Sequence, residues 1–277
     1  MSSSEVVSNS EAVSNSVLFE LDQRGVAIVT LNNPEKHNAF DDVIIAQLTT
    51  MFNQINQDQN VKLMVLAANG KNFSAGGDLN WMKRMINFSH EENLADARKL
   101  ALMLQTLNTL SVPTIARVQG AAFGGAVGLA SCCDMVVASD NASFCLSEVK
   151  VGIAPATISP YVIAAIGARA CRRYFLTAER FSADTARSLG LVSDVASLEQ
   201  LDNILEKLVT RLLANSPNAI KVSKQLIGQV EHRGIDERLM NETSDVIARL
   251  RASEQGQEGL NAFFEKRSPS WQQNSPE

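Results

Sequence analysis

Gln119-Gly120-Ala121-Ala122-Phe123-Gly124-Gly125-Ala126-Val127-Gly128 is the stretch whose reading decides the fold. It follows Thr114 to Val118, an apolar run opened by the break at Pro113 that reads as a buried strand. A helix starts near Gly124, and Met135 to Ala138 reads as the next strand. The glycines do not have the GxGxxG spacing of a dinucleotide fingerprint. The Lys-Ser or Lys-Thr ending of a P-loop is also missing. What remains is a glycine pair at a helix start, where backbone N–H groups point outward and favour negative charge.

A second stretch has the same design. Phe73-Ser74-Ala75-Gly76-Gly77-Asp78-Leu79 follows the short apolar strand Leu63 to Ala67 and its turn at Asn69 and Gly70. It precedes a helical stretch from about Trp81. Small residues let a ligand come close to the backbone. Taken singly, each turn also reads as an ordinary strand-to-helix connection. Taken together, two such turns supply one N–H apiece to one oxygen, and each donor is worth roughly 3 kcal/mol at a transition state.

Outward from these turns the chain alternates strands and helices. Val17 to Leu21 and Val26 to Leu31 flank Gln23-Arg24-Gly25 as a hairpin, and a turn follows through Asn32, Asn33 and Pro34. Ile44, Leu48, Met51 and Ile55 recur at helical spacing behind a cap at Asp41 or Asp42. Leu100, Met103, Leu104 and Leu107 mark another helix face. Units of this kind predict parallel β structure with α crossovers. After about Ser197 only helical stripes appear, among them Ile204, Leu208 and Leu212, with a new segment opening at Pro217. The expected organisation is a loose tail over residues 1–16, an α/β core over 17–200, a helical region over 201–267 and a loose tail over 268–277.

Composition narrows the function. Apolar residues make up 45% of 277 residues, enough for a sizeable core. A net charge of -5 gives no basic field for nucleic acid. Cys132, Cys133, Cys145 and Cys171 form no CxxC pair, and they read as apolar core residues in a reducing compartment. His37, His90 and His232 are scattered, so no metal site is expected. No stretch approaches a membrane span. The N-terminus lacks a secretory or mitochondrial pattern, which points to the cytoplasm.

Leu146-Ser147-Glu148-Val149-Lys150-Val151-Gly152-Ile153-Ala154-Pro155 contains one carboxylate in largely apolar surroundings. Such a group has a raised pKa and exchanges protons near neutrality. The alternative is a surface glutamate paired with Lys150, Arg172 or Arg173.

These three segments resemble the crotonase superfamily of enoyl-CoA hydratases and isomerases. Asn33-Pro34-Glu35-Lys36-His37-Asn38-Ala39-Phe40 is similar to its Pro-x-Lys-x-Asn-Ala-Leu motif. Phe73 to Leu79 resembles its Ala-Gly-x-Asp loop, and Gly120 to Asp134 its Gly-Gly helix ending in Cys-Asp. Phe181 to Val192 and Ala262 to Arg267 resemble its later segments, so the likeness covers residues 17 to 267. Asp78-Leu79-Asn80-Trp81-Met82-Lys83 and Phe144 to Val149 look most like methylglutaconyl-CoA and isohexenylglutaconyl-CoA hydratases.

The resemblance implies an α/β fold, a crotonase-type spiral of ββα turns with a C-terminal helical region that builds trimers or dimers of trimers. It implies an oxyanion hole from the N–H groups of Gly77 and Gly125. Lys36 would lie near the CoA phosphates, with Ala39, Ala75, Asp78 and Leu79 along the adenine and pantetheine path. Phe263 and Lys266 would reach CoA on a neighbouring subunit. The partner is an acyl-CoA thioester, and coenzyme A is part of the substrate, so no separate cofactor is expected. A glutaconyl-type substrate has a distal carboxylate that needs a cation, for which Lys83 and Arg84 are the candidates; Trp81 reads as a packing wall.

One departure stands out. Ordinary hydratases use two glutamates; Glu148 matches the second, and Gly128 replaces the first. Ser131 and Cys132 share its helix face. The expected activity is hydration of a conjugated enoyl-CoA. The alternatives are isomerisation through a single glutamate, decarboxylation of a glutaconyl-type substrate, or a non-catalytic acyl-CoA or RNA-binding module. For RNA, the helix near Glu91 to Leu110 is mixed in charge and not basic.

Overall fold

The structure, a computed structural model, describes residues 16–272. The tail expected over residues 1–16 therefore lies outside the described residues apart from Ser16. Strands β1 (Val17–Leu21) and β2 (Val26–Leu31) form the expected antiparallel hairpin, with Val17 opposite Leu31. A 3-10 turn over Pro34–Lys36 leads to α1 (Asp42–Gln57). The α1 cap is Asp41, whose side chain accepts from the N–H groups of Val43 and Ile44.

The chain continues through β3 (Leu63–Ala68), α2 (Leu79–Met85), α3 (His90–Asn108) and β4 (Thr114–Val118). Then come β5 (Ala121–Phe123), α4 (Gly125–Cys132), β6 (Met135–Ser139) and β7 (Ser143–Cys145). A 3-10 turn over Glu148–Val151 precedes α5 (Ser159–Thr177). Next are β8 (Phe181–Ser182), α6 (Ala183–Leu189) and β9 (Asp194–Ala196). The described residues after Ala196 contain helices only: α7 (Leu201–Leu213), α8 (Pro217–Val230), α9 (Glu237–Ala252) and α10 (Glu254–Glu265), with 3-10 turns at Leu198–Gln200 and Ser270–Gln272.

Two sheets result. The larger has the order β1-β2-β3-β4-β6-β9, parallel from β2 onward. The smaller has the order β5-β7-β8. After β4 and after β6 the chain steps directly into the small sheet, so successive turns of a spiral add a strand to each sheet. This is the crotonase-type α/β spiral.

Alternation along the strands divides the apolar residues between two faces. Met64, Leu66, Ala116 and Val136 face the main core with α1, α3, α4 and α5. Val65, Ile115 and Val137 face the other side, where Leu201 and Val209 of α7 cover them. Both faces of β3 and β4 are therefore buried, which is why they read as continuous apolar runs.

The short strands of the small sheet carry no period that a sequence can show. Of the loose tail expected over residues 268–277, residues 273–277 lie outside the described residues, and Trp271 and Gln272 are tied down: Trp271 Nε1 and Gln272 Nε2 both donate to the Ala214 carbonyl, at 3.2 and 2.7 Å. Among the described residues no helix is long and apolar enough to cross a membrane.

Candidate active site

The two glycine turns meet through their backbones. Ser74 pairs with Ala122 as an isolated parallel bridge. Its N–H donates to Ala121 O at 3.0 Å, and its carbonyl accepts from Phe123 N at 3.0 Å. Gly76 then lies against the other turn so closely that a Cβ on it would sit 2.8 Å from Phe123 O. Gly76 has φ +93° and Gly124 φ +55°, conformations that side chains other than glycine resist. Gly77 and Gly125, one residue further along each turn, have N–H groups that find no acceptor among the described residues. Gly125 is the first residue of α4, so its free N–H is one of the amides a helix start leaves over. The arrangement gives two outward donors on adjoining turns.

Other side chains hold these turns. Asn38, buried at φ +53°, donates from Nδ2 to the carbonyls of Asn69 and Asn72 at 2.8 and 2.9 Å. Asn72 Oδ1 accepts from Ala121 N at 2.9 Å. Three loops are thus tied by two asparagines. Phe40 pairs with Gly77 through the backbone: its N–H donates to Gly76 O at 2.9 Å, and its carbonyl accepts from Asp78 N at 3.0 Å. Trp81 is buried and packs its ring on Gly77, 3.5 Å from where a Cβ would be. Its Nε1 donates to Asp96 Oδ1 on α3 at 3.4 Å. Trp81 is the wall expected from the sequence.

Glu148 opens the 3-10 turn after β7, and its side chain reaches the same place. Glu148 Oε1 lies 3.2 Å from where a Cβ on Gly124 would sit, next to the Gly125 donor. Glu148 Oε2 is buried with no hydrogen-bond partner. Burial pushes its carboxyl above the usual carboxylate range. It forms no ion pair with Lys150, Arg172 or Arg173; Arg173 is engaged by Glu179 at 2.5 Å. The surface-pair alternative for Glu148 is therefore set aside.

Position 128 is closed. A Cβ on Gly128 would lie 2.3 Å from Ile158 Cγ2 and 2.8 Å from Ile158 Cβ, with Leu104 Cδ2 at 3.6 Å. Ile158 and Leu104 are fully buried, so the space a first glutamate would need is packed core. The neighbours do not replace it: burial pushes the Cys132 thiol far up, and the Cys133 thiol up to about 12. Ser131 Oγ is buried without a partner. Glu148 therefore stands without a second glutamate at position 128.

The remaining candidates divide into two groups. Ala75 donates to His37 O at 2.9 Å, and Ala39 to Lys36 O at 3.0 Å, so both belong to the edge of the turn cluster. Lys36 Nζ sits 3.7 Å from Asp78 Oδ2. Asp78 caps α2 by accepting from Trp81 and Asn80 N–H groups, and these bonds, with Lys36 nearby, hold its carboxyl below the usual range against the opposing effect of burial. Leu79 is exposed, as is Lys83, which forms no ion pair among the described residues. Arg84 pairs with Asp42 at the surface. Phe263 and Lys266 are exposed at the C-terminal end of α10, a helix that packs on α8 and α9, and they do not join the cluster within this chain.

Sequence reasoning missed Phe40 and Asn72 as supports, and Ile158 as the plug at position 128. Asn38 carried a usable signal, its place in the stretch similar to the Pro-x-Lys-x-Asn-Ala-Leu motif. Ile158 carried none, because its role exists only where α4 and α5 meet.

Known proteins are similar to this chain over most of its length. A structure of an enoyl-CoA hydratase from Shewanella pealeana superposes with a TM-score of 0.89 at 48% identity, covering 92% of this chain and 96% of that one. The 2,3-dehydroadipyl-CoA hydratase of Escherichia coli is 32% identical over 90% of this chain and 96% of its own length. The trans-2-decenoyl-[acyl-carrier-protein] isomerase of Streptococcus mutans is 31% identical over 92% of this chain and 97% of its own length. With the enoyl-CoA hydratase/isomerase family model matching residues 22–274, the chain belongs to the enoyl-CoA hydratase/isomerase family.

Proposed function

We propose that the chain adds water across the 2,3 double bond of an acyl-CoA thioester, with a branched, 3-methylglutaconyl-like acyl group as substrate. The observation that carries this reading is the Glu148 carboxyl beside Gly124, with Oε2 buried and without a hydrogen-bond partner among the described residues. The thioester oxygen is placed between the N–H groups of Gly77 and Gly125. These draw charge onto that oxygen and make the β-carbon electrophilic. Glu148 takes a proton from water as the water oxygen bonds to the β-carbon. The electron pair of the double bond moves to the thioester enolate. Glu148 then returns its proton to the α-carbon, so one carboxylate completes the cycle. The same steps reversed give dehydration.

Lys36 serves the CoA phosphates, exchanging its Asp78 contact for them. Ala39, Ala75, Asp78 and Leu79 line the path to the thioester. Lys83, exposed and unpaired, is the cation offered to the distal carboxylate. Coenzyme A enters and leaves as part of the substrate. Phe263 and Lys266 reach CoA on a neighbouring subunit of a trimer or dimer of trimers, working in the cytoplasm.

A second reading has an observation in its favour. Ile158 closes position 128, and a lone glutamate suits moving a 3-enoyl double bond to the 2-position. One experiment separates the chemistries. The enzyme is incubated with 2-enoyl, 3-enoyl and 3-methylglutaconyl thioesters, and the products are weighed by mass spectrometry. Gain of water on the branched substrate is the expected result. Unchanged mass with a shifted double bond selects isomerisation, and loss of carbon dioxide selects decarboxylation.

A further inference from the structure

We infer that Phe40 is a positioning residue that sets the gap between the two amide donors; this rests on the oxyanion-hole reading of Gly77 and Gly125. Phe40 touches both turns where the donors sit. Its backbone clasps Gly77 from both sides, through Gly76 O at 2.9 Å and Asp78 N at 3.0 Å. Its ring runs the other way and ends under Gly125. A Cβ on Gly125 would lie 2.5 Å from Phe40 Cζ and 3.1 Å from Cε2. The ring tip is therefore in contact with the Gly125 backbone at the first residue of α4.

The ring is also fully buried. Phe40 is 1% exposed and belongs to the main core with Ile44, Phe73 and Ala126. A rigid plane between the two glycines converts the packing of the core into a fixed spacing of the donors. That matters because an oxyanion hole works only when both donors lie near hydrogen-bond distance of one oxygen. The Ser74–Ala122 bridge joins the turns upstream of the donors. Phe40 supplies the constraint at the donors themselves. Trp81 supports Gly77 alone and does not reach Gly125 in the same way.

The test uses the full chain in a Glu148→Gln background, which stops turnover. A 2,4-dienoyl-CoA is bound at saturation, and its ultraviolet absorption reports carbonyl polarisation by moving to longer wavelength. Phe40→Leu keeps most of the side-chain volume; Phe40→Ala removes it. Phe52→Leu, a buried change in α1, is the control for loss of stability alone. The red shift is expected to shrink in Phe40→Leu and to be largely lost in Phe40→Ala, while Phe52→Leu keeps it. With Glu148 restored, kcat falls about 10- to 100-fold in Phe40→Ala with KM within about 3-fold, below the loss of one whole donor. If Phe40→Leu and Phe40→Ala retain the full red shift in folded protein, Phe40 does not set the gap. Should Phe40→Ala fail to fold, Phe40→Leu decides by the same criterion. An absent red shift in the parent protein overturns the oxyanion-hole reading itself, and this inference with it.

Discussion

Gly128→Ala adds one carbon at a point 2.3 Å from Ile158 Cγ2 and 2.8 Å from Ile158 Cβ. Carbon atoms make favourable contact at about 3.5–4.0 Å, so something must move by more than an ångström. Ile158 is 1% exposed and Leu104 is fully buried, so little space exists to receive the displacement. Overpacking of this kind costs about 1–3 kcal/mol. Alanine in place of a helical glycine returns about 1 kcal/mol. The net expectation for Gly128→Ala is a loss of about 0–2 kcal/mol. Ile158→Ala alone leaves a cavity and costs about 2–5 kcal/mol. In the double variant the new methyl group enters that cavity and the clash disappears. The two changes are therefore expected to couple favourably by about 1–3 kcal/mol, well above the scatter of about 0.5 kcal/mol for independent sites. Urea unfolding followed by circular dichroism, on all four members of the cycle, measures this. Additive losses would refute the claim that Ile158 occupies the volume of the missing side chain. The same logic revises a simple expectation: Gly128→Glu by itself should not create an ordinary two-carboxylate hydratase, whereas Gly128→Glu with Ile158→Gly has room to.

Glu148→Gln should lower kcat by about 10²- to 10⁴-fold, the usual scale of an acid–base group, while thioester binding measured by calorimetry stays near the parent value. Because burial raises the Glu148 carboxyl, its proton is held more tightly folded than unfolded, so its effect on stability is most favourable below the unfolded pKa and is lost as pH rises through the folded one. Thermal melts of Glu148→Gln should therefore exceed the parent at pH 8, with the difference closing toward pH 4; a constant difference would contradict the assignment. The acid limb of kcat/KM should likewise lie above the ordinary glutamate range. Lys36→Ala should raise KM about 2- to 5-fold for a CoA thioester, the scale of an exposed ion contact, and leave KM unchanged for the matching pantetheine thioester, which lacks those phosphates. Gly76→Ala forces a side chain into φ +93° and against Phe123 O at 2.8 Å, so it should cost about 1–3 kcal/mol and remove most of the activity, both read from the same purified protein.

Much of this was legible from sequence, for identifiable reasons. The central strands announced themselves because β3 and β4 are buried on both faces, and α1 because Ile44, Leu48 and Ile55 share one. The glycine turns were legible because glycine marks close backbone approach directly. Glu148 stood out as a charge among apolar neighbours. The small sheet stayed hidden because strands of two or three residues have no period to read. The α5 helix was missed as well; its regular pattern is broken by Gly167, which takes φ 75° inside it. Arg84 looked as available as Lys83, since the Asp42 that engages it lies on a different element. Ile158 and Phe40 act across the fold, and such roles follow from which elements touch, not from which residues are adjacent in the chain.

The bridge between Ser74 and Ala122 has a consequence for how such an enzyme diverges. The two donors are main-chain amides, so no exchange of one side chain for another deletes them; only proline takes an N–H away. What a mutation can change is how the turns are braced and which acid or base stands beside them. Lineages built on this frame would therefore be free to trade carboxylates at positions such as 128 while both amides stay in place. New reactions would arise by editing the proton traffic around a fixed electrostatic centre, and the inheritance of that centre depends on keeping glycines and asparagines in a few loops.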